Sequence, residues 1–439
     1  MPLSVRRRRL LLWTALAGGF LFVNFHRTAT AVLADSLART FDATGSQLGL
    51  LHSSFFYIYA ALQLPAGLVV DRYGPRWVGA AGLAVLSAGV LWFARSDTLL
   101  VAFLARAVVG LGGSVCYIAT LRFCANWFRP DEYATMTGYT VAAAGAGGIL
   151  ATTPLALAID RVGWRLAILA TGVITAVVAV AVAGAVRDTP ADAGYDDAAV
   201  GVGVGVGAAD GGSASLADIV ANTRTVLREA ETWLMGLLLF LVLGVNFTVL
   251  GLWGVPFVAD TYGVSVARAS TYLLVGSVGF VLGSPAIGAL SDRTGRRTEL
   301  IVATAVVFAL SYGVLVTVPP LPVVGAALFC ALLANGGVSL VFTVGKERHE
   351  PAVAGTVTGV INSLGYVGAA TLPTVMGAVL DAYWTGEVIN GARVYTVTGY
   401  RVAFGIATAA ALLAVVAGLW LHRRETRIAE APTPVAGDG

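Results

Sequence analysis

Charge and sulfur are scarce in this chain of 439 residues. Only 12% of its residues are Asp, Glu, Lys or Arg, 57% are apolar, and the mean hydropathy is +0.81. A water-facing surface needs about twice that charged share, so a soluble globular domain is excluded. Lys346 is the only lysine, and the Gly-rich run GVGVGVG at 201–207 therefore lacks the lysine of a phosphate-binding loop and reads as linker. Cys116, Cys124 and Cys330 lie in or at the edge of apolar runs and set out no disulfide framework. HExxH, GxSxG and Walker signatures are missing, and no Asp or Glu stands in the middle of an apolar run. The expectation is no catalytic residue, no metal and no cofactor. The net charge of +3 follows from short basic loops and argues for no nucleic-acid partner.

What is abundant is apolar sequence in pieces of one length. A helix needs about 20 apolar residues to cross the hydrocarbon of a bilayer. Twelve windows meet that need: 11–34, 46–70, 77–94, 99–123, 134–158, 165–186, 233–259, 268–290, 300–318, 321–345, 354–380 and 401–421. RRRRLLLWTALAGG has the basic start of a secretory signal, but its apolar run continues past Val32 and reads as a retained first helix. With an even number of spans both termini share a side. Arg6 to Arg9, Arg72, Arg76, Arg293, Arg296, Arg297, Lys346, Arg348, Arg423, Arg424 and Arg427 all fall there, which makes it the cytoplasmic side of a plasma membrane.

One charged phrase is written twice. GLVVDRYGPRW at 67–77 and GALSDRTGRRT at 288–298 are 221 positions apart, and the same offset carries PDEYATMTG from Pro130 onto PAVAGTVTG from Pro351 and Asp160 onto Asp381. Duplicated six-helix bundles explain this. The expected organisation is a first bundle over 1–186, a linker over 187–232, a second bundle over 233–422 and a tail over 423–439. DTPADAGYDDAAVGVGVGVGAADGGSAS has the composition of a flexible tether, and LADIVANTRTVLREAETW after it has the spacing of a short amphipathic helix.

G-x-x-x-D-R-x-G-x-R in loops 2–3 and 8–9, RAVVGLGGS in span 4, ANWFRPDEYATMTG leading into span 5, GWR before span 6 and GKERHEPAVAGTVTGVIN around the start of span 11 cover nearly the whole chain. In these features the chain resembles the major facilitator superfamily of secondary transporters. The resemblance implies an all-α membrane protein, twelve transmembrane helices in two six-helix bundles related by a pseudo-twofold axis. It also implies that the two loops latch span 2 against span 11 and span 8 against span 5 whenever the cytoplasmic side shuts. The gating residues would be Gly67, Asp71, Arg72, Gly74 and Arg76, and Gly288, Asp292, Arg293, Gly295 and Arg297. Glycines 67 and 288 permit close helix approach. The aspartates can meet a helix N-terminus, an attraction of about 0.3 to 1 kcal/mol when exposed and up to ~2 when partly buried.

Charges inside the spans are few and costly, about 2.5 to 3.5 kcal/mol for an arginine at a helix centre on insertion scales. Arg27 and Arg106 each lie roughly 11 to 12 Å from the outer end of their spans at the helical rise. His26 and His52 fall in the same layer, and Asn24, Arg27, Ala31 and Asp35 form one helical stripe. The expected substrate-binding set is Arg27, Arg106, His26, His52 and Asn24 in the first half with Asn246, Asn335 and Asn362 in the second, where Trp253 and Tyr272 add aromatic surface. Arg106 has a competing reading as a brace for neighbouring backbone, and Arg122 as part of the inner gate. At the repeat offset Arg27 maps to Thr248, so the second half lacks a matching cation. Organic-phosphate exchangers of the resembled superfamily, similar around FHRTATAVL, carry a second arginine in span 7.

The function expected is secondary active transport of a small organic anion or zwitterion by alternating access, by a monomer in the lipid bilayer. Protons would couple through His26, His52, Asp35 or Asp260 if at all. A membrane receptor without net flux and an organic-phosphate exchanger are the alternatives.

Overall fold

A straight helix of 50 residues would measure about 75 Å, more than twice the ~30 Å of a bilayer's hydrocarbon. The helix Gly45–Ala94 has that length and therefore has to turn back. It does so at Gly74, whose φ of 78° and ψ of 155° are open to glycine and to little else. Spans 2 and 3 are its two arms.

The computed structural model describes residues 5–195, 221, 223–349, 351–389 and 392–430. The protein is an all-α membrane protein of the two-bundle kind. Among the described residues ten helical stretches are long and apolar enough to cross a membrane, and Asp131–Leu150 with Thr153–Val162, bent by 41°, make an eleventh. The remaining pass is the first arm of Gly45–Ala94, where Gln47, His52, Gln63 and Asp71 dilute the apolar character. Large apolar side chains such as Leu100, Val180, Leu310 and Leu413 face outward, while His52, Arg106 and Asn246 are buried. That inversion suits a surface solvated by lipid tails.

Several expected spans are broken or longer than the hydropathy windows. Span 1 is Val5–Thr28 followed by Thr30–Phe41, and span 12 runs Val397–Glu430. Span 4 divides into Leu99–Gly113 and Cys116–Trp127 after RAVVGLGGS. There a Cβ on Gly110 would strike the backbone of Phe55, and one on Gly112 that of Leu86. Span 7 is Ala230–Thr248, a π turn at Val249–Trp253, and Gly254–Tyr262. Such π turns sit disproportionately at functional positions.

Between spans 11 and 12 the chain forms an antiparallel hairpin that the apolar windows do not foretell, β1 Trp384–Ile389 with β2 Ala392–Tyr395. Its sequence signal is Asn390-Gly391, a turn-forming pair that lies outside the described residues. The linker leaves span 6 pinned to span 4, since Trp127 Nε1 donates to the Arg187 carbonyl at 2.9 Å and Asn126 Nδ2 to that of Asp188 at 2.9 Å. Residues 196–220 and 431–439, with most of the expected tether and tail, lie outside the described residues.

The two halves meet along span 2 against span 11, Pro351–Ala382, and along span 5 against span 8, Val266–Thr294. Contact runs from the hairpin end to mid-depth, from Gly45 beside Gly377 to the Asn362 Nδ2 to Gln63 Oε1 bond at 2.8 Å. Toward the paired loops the halves part. A Cβ built on Gly67, Gly138, Gly288 or Gly355 meets nothing within 4 Å.

Candidate functional site

Span 1 stays helical through its interior, because Ala29 N donates to Phe25 O at 2.9 Å and Leu33 N to Ala29 O at 3.2 Å. Asn24 and Arg27 therefore share a face, and the side chains touch: Arg27 Nη2 donates to Asn24 Oδ1. The guanidinium carbon lies 4.4 Å from the Phe247 ring centre, and Nη1 donates to the Tyr366 hydroxyl at 3.3 Å. Phe247 and Tyr366 belong to the second half, so Arg27 stands in the seam between bundles. It is 7% exposed, its Nε has no hydrogen-bond partner, and no carboxylate of the described residues pairs with it.

Aromatic rings from both halves wall this position. Tyr59 and Tyr366 stand 4.6 Å apart, Phe56 and Phe247 5.2 Å, and Phe56 and Tyr366 6.1 Å between centroids. A cation on an aromatic face gains about 0.5–1 kcal/mol when exposed and ~2 or more when desolvated, which offsets only part of the dehydration of an arginine. A negative group arriving at the free Nε would offset more. Phe56, Tyr59, Phe247 and Tyr366 were not among the residues expected from sequence. Their signals were the aromatic run FFYIY at 55–59 and the placement of Tyr366 one turn beyond Asn362.

Arg106 does a different job from Arg27. Its Nε donates to the Leu51 carbonyl at 3.2 Å and its Nη1 to the His26 carbonyl at 3.5 Å, bracing spans 1, 2 and 4. His26 packs edge-on against Phe25, and His52 lies against Gly251, where a Cβ would come within 2.6 Å of its ring. The π turn of span 7 thus seats a glycine on a histidine of the other half. Asn246 and Asn335 bond to each other at 2.8 Å, with the Tyr312 hydroxyl donating to Asn246 Oδ1 at 3.4 Å. Asn246 Nδ2 and Asn335 Oδ1 are thus used inside the second half. Asn362 bonds to Gln63 across the seam, and Trp253 Nε1 donates to the Pro373 carbonyl at 3.0 Å. Tyr272 packs beside Gly325.

In the paired loops, the charges bond within their own halves. Asp71 meets Arg122 Nε at 3.4 Å; Arg76 N donates to Asp188 Oδ1 at 2.7 Å, and its guanidinium donates to the Ala183 carbonyl. Arg72 lies over the Tyr73 ring, Arg297 pairs with Glu347 at 2.6 Å, and Asp292 and Arg293 are exposed. Gly295, like Gly74, has a positive φ, 67°. Among the described residues no hydrogen bond or ion pair joins either loop to the other half in this conformation.

The hairpin end is shut. Asp381 Oδ1 accepts from Gly45 N at 2.6 Å, Oδ2 from Ser46 N at 2.8 Å and Ser46 Oγ at 2.7 Å, and Ser270 Oγ donates to Thr153 Oγ1 at 3.2 Å. Burial, helped by the neighbouring Asp381 carboxylate, pushes the pKa of the Tyr395 hydroxyl above its ordinary value, so it stays a neutral donor beside this contact. Between span 1, span 7, the hairpin and span 12 remains a cavity of about 710 Å³, lined among others by Asp35, Asp260, Arg393 and Tyr400.

Two like bundles, a buried unpaired cation in their seam and a seam shut at one end define a membrane protein of the two-bundle transporter architecture. The chain belongs to the Major Facilitator Superfamily, whose family model matches residues 15–373. It is 26% identical to the membrane sensor protein UhpC of Salmonella typhimurium over 86% of this chain and 87% of that one. It is 23% identical to a probable hexose phosphate transport protein of Chlamydia trachomatis over 84% of each. Among solved structures, a bacterial homolog of the human lysosomal transporter Spinster, inward-facing and unoccupied, has a TM-score of 0.77 at 18% identity, over 98% of this chain and 99% of that one.

Proposed function

We propose that the protein is a secondary active transporter that moves a small organic anion or zwitterion across the plasma membrane by alternating access. The observation that carries this reading is Arg27: a buried guanidinium with a free Nε, no acid partner, and contacts divided between the two halves. A transported anion held there would touch both bundles at once. Its binding would then bias how they pack, which is what coupling of occupancy to rocking requires.

The excess of arginine on the paired-loop side supports a cytoplasmic position for that side and for both termini. The conformation described is then inward-open. On rocking, Gly67 and Gly288 come into contact with spans 11 and 5, and Asp71 and Asp292 reach the N-termini of those helices. Asn24, Tyr366 and Phe247 orient the substrate at Arg27, with Asn362 and Gln63 beside them on the seam. Arg106, His26 and His52 stand behind, and Asn246 and Asn335 hold the second half together. No covalent chemistry is proposed.

The relative described as a hexose phosphate transport protein supports an anionic cargo. Thr248 at the repeat position of Arg27 favours a singly charged carboxylate or zwitterion over a phosphate dianion, since one guanidinium neutralises one charge. The likeness to UhpC favours a second reading, a sensor that binds the same class of ligand without net flux.

Proteoliposomes loaded with candidate carboxylates, amino acids or sugar phosphates test both. Counterflow by the wild type and its loss in Arg27→Met support transport. Ligand-induced thermal stabilisation without counterflow supports the sensor, and ligand stabilisation undiminished in Arg27→Met removes Arg27 from the site.

A further inference from the structure

The cavity of about 710 Å³ on the hairpin side takes no part in the function proposed above. Its floor is buried at Val32, Leu48 and Trp253, and its rim is exposed at Arg39, Gly263 and Ser265, so it opens on the hairpin side of the shut seam. Span 1 and Leu48 of span 2 supply one wall; span 7, the hairpin and Tyr400 of span 12 supply the other. Asp260 stands roughly 20 Å along span 7 from Phe247, the ring that meets Arg27, at the helical rise. One small molecule cannot reach both Asp260 and Arg27.

Three aromatic rings line this cavity and meet at right-angled corners. Trp253 and Tyr395 have centroids 6.3 Å apart with planes at 87°, and Tyr395 and Tyr400 6.3 Å apart with planes at 89°. Their polar tips are engaged: Trp253 Nε1 donates to the Pro373 carbonyl, the Tyr395 hydroxyl faces Asp381, and the Tyr400 hydroxyl donates to Asp260 Oδ2. What they leave for the cavity is ring surface. Four charged side chains border the same space. Asp35 pairs with Arg39, while Arg393 pairs with Asp381 at 3.9 Å and lies over the Trp384 ring. Asp260 is exposed, lines the cavity and, among the described residues, has no cation partner. One negative charge is thus left over beside three rings.

A metal ion is a poor occupant, since no group of three His, Cys, Asp or Glu among the described residues could hold one. An anion would meet the charge of Asp260 with both bordering arginines already paired. Aromatic rings beside a carboxylate suit an ammonium ion carrying carbon substituents: the rings attract the cation, and its methyl groups displace water from apolar wall. The volume is that of a small-ligand pocket. We propose that the cavity is a binding site for a small organic ammonium ion, held by the Asp260 carboxylate and the rings of Trp253, Tyr395 and Tyr400. These four residues belong to the second half, and Val32, Asp35 and Leu48 of the first half close the space over them. An occupant therefore touches both halves only while the hairpin end is shut, and its binding favours that conformation. It acts as a latch on the hairpin side, separate from the substrate at Arg27.

Thermal unfolding of the purified full chain in detergent tests this, with choline and with dimethylbutanol, its neutral carbon isostere, at constant chloride. We expect the melting temperature to rise saturably with choline and not with the isostere. Asp260→Asn, which can keep the bond to Tyr400 and removes the charge, should weaken the apparent choline affinity roughly tenfold or more. Tyr395→Leu should weaken it about fivefold, and Arg27→Met should leave the shift intact. Spin-label distances between spans 1 and 7 at the hairpin end should move toward the shut population as choline is added. Choline against its isostere is a comparison within the wild type, independent of whether any variant folds. Equal stabilisation by the two, no stabilisation by choline, or a shift unaltered in Asp260→Asn would overturn the proposal. Loss of the shift in Arg27→Met would also overturn it, by placing the ammonium in the substrate site, and distances that lengthen or stay unchanged would overturn the latch. Failure of counterflow with the choline shift intact would sink only the function proposed above.

Discussion

Asp381 at the end of span 11 caps span 2 across the boundary between the halves: its carboxylate accepts the backbone N–H of Gly45 at 2.6 Å. Ser46 donates twice more to the same group. Hydrogen bonds to a charged group contribute about 1.5–3 kcal/mol each, and these exist only while the hairpin end is shut. Asp381→Asn keeps the shape and removes the charge, so the equilibrium should move roughly tenfold or more toward opening of that end. Spin-label distances between spans 2 and 11 measure it. An unaltered distribution would rule out Asp381 as the clamp.

Gly377 and Gly45 touch backbone to backbone at the same closure, where a Cβ on Gly377 would run into the Gly45 carbonyl. Gly377→Val should fold in each half but fail to shut the hairpin end, leaving that face accessible to labelling reagents. Gly405→Val, facing open space, is the control. Equal labelling of the two variants would contradict the contact.

Arg27→Met should separate stability from activity. An arginine at a span centre costs about 2.5 to 3.5 kcal/mol to insert, and this one has no carboxylate to compensate it. The variant should melt no lower than the wild type while losing anion counterflow. A clear fall in melting temperature would show that Arg27 is a structural brace.

The two loop glycines, twins in sequence, should differ in their tolerance of substitution. Both have positive φ, so an alanine at either carries strain of about 1–3 kcal/mol. At Gly74 the added Cβ also lands 2.5 Å from Asp188 Oδ2, which holds Arg76 through its other oxygen, whereas at Gly295 it meets nothing within 4 Å. Gly74→Ala should lower the melting temperature more than Gly295→Ala, and equal losses would argue against the Asp188 contact.

The helical passes were legible in the sequence because lipid leaves backbone groups no partner but their own helix, and the apolar windows follow from that demand. The breaks in spans 4 and 7 were not legible, since hydropathy averages over the single turn where a π bulge or a glycine contact sits. Arg27 stood out because an isolated charge in an apolar run is conspicuous. Its partners did not, because Phe247 and Tyr366 are ordinary apolar-span residues until the fold sets them on the guanidinium. Arg106 shows the opposite case. Conspicuous for the same reason, it proved to face backbone carbonyls of its own half.

Composition, span length and the 221-residue repeat determine by themselves that this chain lies in a membrane as two like bundles, because burial in lipid is a local demand that each helix meets alone. Which end is shut, which aspartate reaches across the seam and which arginine faces it were decided only by the tertiary structure. Those are relations between surfaces far apart in the chain, and the repeat hides them: Asp160 stands where Asp381 does, yet only Asp381 caps a helix of the other half among the described residues.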